Sequence, residues 1–378
     1  MAGFTNYYVD PLNGTDDVVG DRGSVIGNPW KSRQYAYDHI TRDAANGDQI
    51  NHKSDQAPGI ATTTDDVMTT AEDLSTYGEP TEAAPLIDRG YSSALNDGGI
   101  GGLDGDGTYS VIGTKVPFHS IVDMHCHNTG SNMILYLYRG SAINCEIDNT
   151  TDRGLKLYQN CRVINCHIHN IDLYCINCES AYNQVLNCYI KNGTNKANYG
   201  IYAQVYTNVF LNNIISLDDS STGIYMAGDH MTARGNTIFS DGGTGSGMYV
   251  NATYRRHSVV NNIVAGFSGG GGAGINFLNA PGESVDEFGH NAVYNCTTNY
   301  KNLADSDFIC NFGDNEELSE SPFMKTGSDT FANRFNYFAP RAVGNVWGGA
   351  YPSGCRMDKG AVQHSTPQTG ATALQWAK

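Results

Sequence analysis

Four side chains in the middle of the chain have the types and spacing for proton chemistry. Glu146 and Asp148 stand two residues apart, and so do His167 and His169. Alternate residues of a β-strand face the same side, so each pair shares a face. If the two strands stack, a histidine beside a carboxylate can shuttle a proton near neutral pH. The same residues also read as a solvated face of mixed polarity. Tyr189, Lys191 and Arg162 are the nearby groups with the chemistry to bind a polar ligand.

What must position them is a repeat. A short pattern recurs as Asn144-Cys145-Glu146-Ile147, Asn165-Cys166-His167-Ile168, Asn187-Cys188-Tyr189-Ile190, Asn212-Asn213-Ile214-Ile215, Gly235-Asn236-Thr237-Ile238, Asn261-Asn262-Ile263-Val264 and His290-Asn291-Ala292-Val293. The steps are 21, 22, 25, 23, 26 and 29 residues, a period that marks a solenoid. The Cys/Asn column and the Ile/Val column lie two apart, so both face inward. Cysteine fills such a place as a small apolar group. Asparagines stacked about 4.8 Å apart can bond one another, whereas a lone buried amide would be costly. A second landmark (Gly154, Gly200, Gly223, Gly247, Gly274) opens another strand in several repeats, and glycine there is expected to turn a corner. The Leu spacing of a leucine-rich repeat is absent. The expected fold is all-β: a right-handed parallel β-helix with an N-terminal cap containing a short helix and a C-terminal capping segment. Residues 1–90 are expected to form the cap and first strands, 91–310 the rungs, and 311–378 the C-terminal cap and tail.

The 378 residues carry a formal net charge of −16 and include 44 Gly and 23 Tyr. That charge argues against nucleic acid, which is bound through basic patches, and against anionic membranes; neither is expected as a partner. No basic and apolar leader is visible at the start. Synthesis in a reducing compartment is therefore expected, with secretion after removal of a signal as the alternative. Ten cysteines fit buried reduced thiols better than a metal framework, since Cys175-x-x-Cys178 lacks a second pair. No metal is expected. Asp104-Gly105-Asp106-Gly107 suggests calcium only faintly, because the twelve-residue loop pattern is missing; it reads as a turn. Arg255-Arg256-His257 reads as a solvated basic turn.

Tyr7-Tyr8-Val9-Asp10-Pro11, Asn13-Gly14-Thr15-Asp16, Asn28-Pro29-Trp30-Lys31-Ser32, a helix near 32–40 and Gly47-Asp48-Gln49-Ile50 together resemble the start of pectate-lyase-like right-handed β-helix proteins. Ser321-Pro322-Phe323, Phe335 to Pro340 and Met357-Asp358-Lys359-Gly360-Ala361 resemble the end of that superfamily, with Lys359 in place of its usual Ile. The resemblance implies the fold and leaves the activity open, because the superfamily includes lyases, hydrolases, epimerases and virion proteins. Its lyases imply an Arg or Lys base with calcium-binding carboxylates, and no such constellation surrounds Lys156, Arg162 or Lys191. Asp218-Asp219 and Gly228-Asp229-His230 with Arg234 only partly match its hydrolases.

The later rungs place Ile214, Phe239, Ile263 and Tyr294 where the earlier ones carry charge. These four are expected to face outward and to be covered by the C-terminal segment, by a second copy of the chain or by another virion protein, with simple exposure as the remaining alternative. The function expected from these observations is a structural, glycan-facing component of a bacteriophage particle, a capsid decoration or fibre-type protein at the virion surface. The alternative is a polysaccharide lyase or glycoside hydrolase with Glu146, Asp148, His167 and His169 as its catalytic candidates.

Overall fold

The computed structural model describes residues 4–302, apart from 18, 55–64, 96, 98, 114, 192–197, 218–220, 252–255 and 279–284, and the backbone of short strands at 308–311, 316–318, 349–350 and 356–357. The C-terminal motifs, Asp218-Asp219 and the tail lie outside the described residues. The chain divides into two compact units, Met1–Ala197 and Asn198–Lys378.

In the first unit, parallel strands stack into three sheets. The first sheet holds Thr5–Val9, Asp48–Lys53, Leu86–Tyr91, His119–Val122, Ser141–Ile143, Arg162–Ile164 and Gln184–Leu186. The second holds Asp66–Val67, Gly101–Asp104, Met124–Gly130, Glu146–Thr150, His167–Ile171 and Tyr189–Lys191, and the third Leu135–Leu137, Arg153–Leu157 and Tyr174–Cys178. Parallel pairing runs from Thr5–Val9 onward. The second unit repeats the three-sheet plan, with Thr232–Arg234 and His257–Val260 in its first sheet, Ile214–Leu217, Thr237–Ser240, Ile263–Ala265 and Ala292–Tyr294 in its second, and Tyr199–Ala203, Thr222–Met226, Ser246–Val250 and Ala273–Phe277 in its third. No helix of the described residues is long and apolar enough to cross a membrane.

The repeat motif has two physical causes, one for each of its first two residues. Asn144, Asn165, Asn187, Asn212 and Asn261 have φ between 55° and 61°, the left-handed region that asparagine tolerates best among residues with a side chain. They turn the corner into the second sheet. The next residue points into the core. In the first unit Cys145, Cys166 and Cys188 are buried, and each thiol reaches the carbonyl two residues before it and another on the rung above. In the second unit the amides form a ladder. Asn213 Nδ2 donates to Asn236 Oδ1 (3.0 Å), Asn236 Nδ2 to Asn262 Oδ1 (3.0 Å) and Asn262 Nδ2 to Asn291 Oδ1 (2.9 Å). Each of these acceptor oxygens also takes the backbone N–H of the preceding rung at 3.0 Å.

The glycine column has a different cause from the one expected. Gly200, Gly223, Gly247 and Gly274 sit inside their strands and have no positive φ. A Cβ there would collide with Ile215, Ile238, Val264 and Val293 respectively, and at all four with a carbonyl of the next rung. They are small because the inward Ile/Val column fills that space, not because the chain turns there.

The helix Arg33–His39 is capped by Ser32, whose side chain accepts from the Tyr35 N–H. It packs with Val9, Trp30, Ile50 and Leu86, so the quoted N-terminal motifs build one apolar cluster. Beneath it lies a fully buried polar knot. Asp88 takes His52 Nε2 and His119 Nε2 at 2.7 Å each and the Tyr37 hydroxyl at 2.9 Å. The Arg33 guanidinium stands 3.7 Å away. Burial alone would raise the Asp88 carboxyl, but the two imidazoles and Arg33 hold it well below the usual carboxylate range.

Candidate functional site

Register in the second sheet of the first unit turns sequence spacing into a surface. Gly102, His125, Glu146, His167 and Tyr189 are successive partners in one column, and Asp104, His127, Asp148 and His169 in the next. The intervening residues Leu103, Cys126, Ile147, Ile168 and Ile190 are buried in the core. The two columns therefore point away from it. Three consecutive rungs carry His-x-His, Glu-x-Asp and His-x-His.

The side chains converge. Glu146 Oε1 meets His169 Nε2 at 2.9 Å and His167 Nδ1 at 3.2 Å. Asp148 Oδ1 meets His125 Nε2 at 2.9 Å, and its other oxygen lies 3.9 Å from His169 Nδ1. His127 Nε2 meets Asp65 Oδ2 at 2.9 Å. The imidazoles stack in pairs, His125 on His127 at 4.2 Å and His167 on His169 at 4.1 Å. Most of these groups are half-buried. Burial would raise the Glu146 carboxyl, yet its bonds to His167 and His169 hold it well below the usual carboxylate range. For His127, burial favours the neutral ring, but the bond to Asp65 and the charges of Asp65, Asp104 and Asp148 raise its pKa.

All four expected catalytic candidates fall in this wall. Tyr189 closes one column, its ring tilted 35° to that of His167 at 5.3 Å, but it is buried. Lys191 ends the same strand. Arg162 lies on the first sheet instead, so it is not part of this surface. His125, His127, Asp65 and Asp104 join the wall without having been expected there. The signal for the two histidines is present in the sequence: His125-Cys126-His127 precedes Glu146 by the same 21 residues that separate Glu146 from His167. Its rung opens with Asp123-Met124 in place of Asn-Cys, which hides it. Asp65 reaches His127 across 62 residues of sequence, and no local pattern marks it.

Other expectations resolve differently. Ile214 and Ile263 are 3% and 0% exposed, and Phe239 and Tyr294 are half-buried. The four do not form an exposed assembly face within the single chain. Ile214, Thr237, Ile263 and Ala292 are register partners in one column of that sheet. His257, expected at a solvated turn, is fully buried in a strand. Arg234 pairs with Glu287. Asp104–Gly107 is a tight turn in which Asp104 Oδ1 accepts the Asp106 N–H at 2.8 Å.

Among solved structures, the chain is similar to pectate lyase Pel9A at 14% identity and a TM-score of 0.46, covering 97% of this chain and 98% of that one. A rhamnogalacturonan lyase aligns at 14% identity and 0.44, covering 89% and 97%. The GH136 lacto-N-biosidase of Eubacterium ramulus aligns at 12% identity and 0.35, covering 84% and 67%. No curated protein matches the chain. Residues 126–299, from the middle of the first His-x-His to the last complete rungs, match the family described as the right handed beta helix region, and this stretch is a right-handed parallel β-helix.

Proposed function

We propose that this chain is a glycan-facing structural protein whose contact surface is the polar wall of the second sheet in the first unit. One observation carries the reading: three consecutive rungs repeat imidazole, carboxylate and imidazole in two aligned columns. A linear polysaccharide offers hydroxyl donors and acceptors that recur along one axis. Carboxylates accept, and neutral imidazoles both donate and accept, so a wall repeating at the rung spacing of about 4.8 Å suits such a ligand. The proposed setting is a capsid decoration or fibre-type position on a bacteriophage particle, alone or as a homo-oligomer. Its support is the set of thiols not joined in disulfides (eight among the described residues), which fits synthesis in a reducing compartment. The buried Ile214 and Ile263 supply no support for assembly through that column.

The second reading is a polysaccharide lyase or glycoside hydrolase using the same face, favoured by His–carboxylate pairs able to take up and return a proton. A panel of neutral and acidic polysaccharides separates the two. Binding is measured by interferometry, and chemistry by new reducing or unsaturated ends. The structural reading expects binding without new ends, weakened about tenfold by His125→Ala through loss of one hydrogen bond to the ligand. Turnover that Glu146→Gln abolishes replaces it with the enzyme reading. Absence of binding across the panel removes both.

A further inference from the structure

We propose that Glu146, His167 and His169 form a binding site for a divalent first-row transition ion of the zinc class. Such a site is independent of the glycan reading and holds whether or not a glycan is the ligand. No metal is expected from the sequence, because Cys175-x-x-Cys178 lacks a second pair. The fold brings the right donors together.

Three observations carry it. First, the donors lie close together. His167 Nδ1, His169 Nε2 and a Glu146 oxygen all lie within 4.8 Å of one another, and the carboxylate oxygen is 3.2 and 2.9 Å from the two nitrogens. Donors bound about 2.1 Å from zinc stand about 3.0 Å apart at right angles and about 3.4 Å apart at the tetrahedral angle. The two measured edges lie within a few tenths of an ångström of that range, a gap that side-chain adjustment can close without moving the strands. Second, the donor set is two imidazoles and a carboxylate. Zinc, cobalt and iron accept that set and keep open positions on it. Calcium prefers six to eight oxygens, so the faint calcium reading of the sequence does not extend to this site. Third, the outer surroundings suit a metal. With Nε2 of His169 bound to the ion, the ring carries its proton on Nδ1, and Asp148 Oδ2 lies 3.9 Å from that nitrogen, on the side from which an orienting carboxylate acts. Side-chain exposures of 15%, 18% and 29% for His167, His169 and Glu146 leave the remaining coordination positions open to water.

The chemistry is exchange without redox change: the ion takes the lone pairs of two neutral imidazoles and one carboxylate oxygen, and replaces the hydrogen bonds that now join them. A similar triad, Asp65, His125 and His127, lies on neighbouring rungs. Its Asp65 is supplied by a distant segment, whereas all three donors of the proposed site are held by paired strands.

The test uses the full chain, stripped with chelator and dialysed. Zinc chloride is titrated by calorimetry, and cobalt chloride is followed by its visible absorption. The expected result is one zinc lost on Glu146→Gln, with affinity at this site down ~100-fold or more, since a direct ligand matters at least as much as an outer one. The cobalt spectrum should show nitrogen donors and low coordination, and millimolar calcium should not compete. Equal zinc titrations for the wild type and Glu146→Gln would overturn the proposal. So would zinc binding that only His125→Ala removes, which would move the site to the other triad. Should Glu146→Gln fail to fold, as judged by circular dichroism, X-ray absorption of the zinc-loaded wild type decides. Two imidazole nitrogens and a carboxylate oxygen support the site, and an all-oxygen shell overturns it.

Discussion

His257 is fully buried on the strand His257–Val260, with the charges of Asp229 and His230 acting on it from neighbouring turns. Burial disfavours the imidazolium and pushes its pKa down to about 4, against the opposing pulls of the Asn251 backbone and, less, of Asp229. The unfolded chain takes up this proton near pH 6.5, so stability is full above pH 6.5 and is lost as the pH falls from there to about 4. At ~1.4 kcal/mol per pH unit the loss over that window is of order 3 kcal/mol. Urea melts at pH 7, 6, 5 and 4 should show that slope, and His257→Leu should flatten it. Equal slopes in both proteins would mean that other groups govern the acid limb. Glu146 shares the sign and differs in window. Its carboxyl is held low by His167 and His169, so its contribution is present at neutral pH and disappears only below the ordinary carboxylate range.

At the scale of the strand and its ladder, the two halves of the interior column differ in what they tolerate. Cys166 is a small filler whose thiol bonds are weak, so Cys166→Ala should cost about 1 kcal/mol, comparable to one buried methylene. Asn236 is fully buried, accepts both the backbone and the side-chain amide of Asn213, and donates to Asn262 and to the Phe210 carbonyl. Asn236→Ala removes an acceptor shared by two buried donors, and each unsatisfied group costs about 1–3 kcal/mol. The loss should be about 3 kcal/mol or more. Paired denaturant melts check the contrast, and equal costs would mean that the amides are not a self-satisfying chain. The same ladder governs what is legible in the sequence. Cys145 to Asn291 announce the β-helix because stacked rungs place like residues over one another at that period. Glu146, Asp148, His167 and His169 are legible because they keep a fixed offset from that column. His125 and His127 are hidden by an atypical rung, and Asp65 by distance along the chain. The glycines are legible as a column but not in their cause, since a collision with Ile238 or Val264 is a tertiary fact. Asp88 and its partners His52, His119 and Arg33 carry no repeat at all, and only burial under the helix Arg33–His39 brings them together.

At the scale of the whole molecule, the ten cysteines connect the interior to the compartment in which the chain is made. Seven of the eight described thiols are buried. Burial raises the pKa of Cys126, Cys145, Cys161, Cys166, Cys175 and Cys178 above that of an ordinary thiol. A thiol that is both inaccessible and protonated reacts slowly with disulfide reagents, because the thiolate is the nucleophile. Cys296 is half-buried, with a pKa pushed up to about 11. Cys310 and Cys355 lie where no side chain is described. Native protein treated with Ellman's reagent at pH 8 should therefore release fast colour from no more than Cys310, Cys355 and Cys296, and from all ten cysteines after denaturation without reductant. The buried thiols should become reactive only as fast as the strands that carry them open. A denatured count short of ten would reveal disulfides and would favour secretion through an oxidising compartment. A full native count would mean that the Cys145–Cys188 column does not face the core, and the positions of Glu146 and His167 on the opposite face would fall with it, because strand alternation ties the two together.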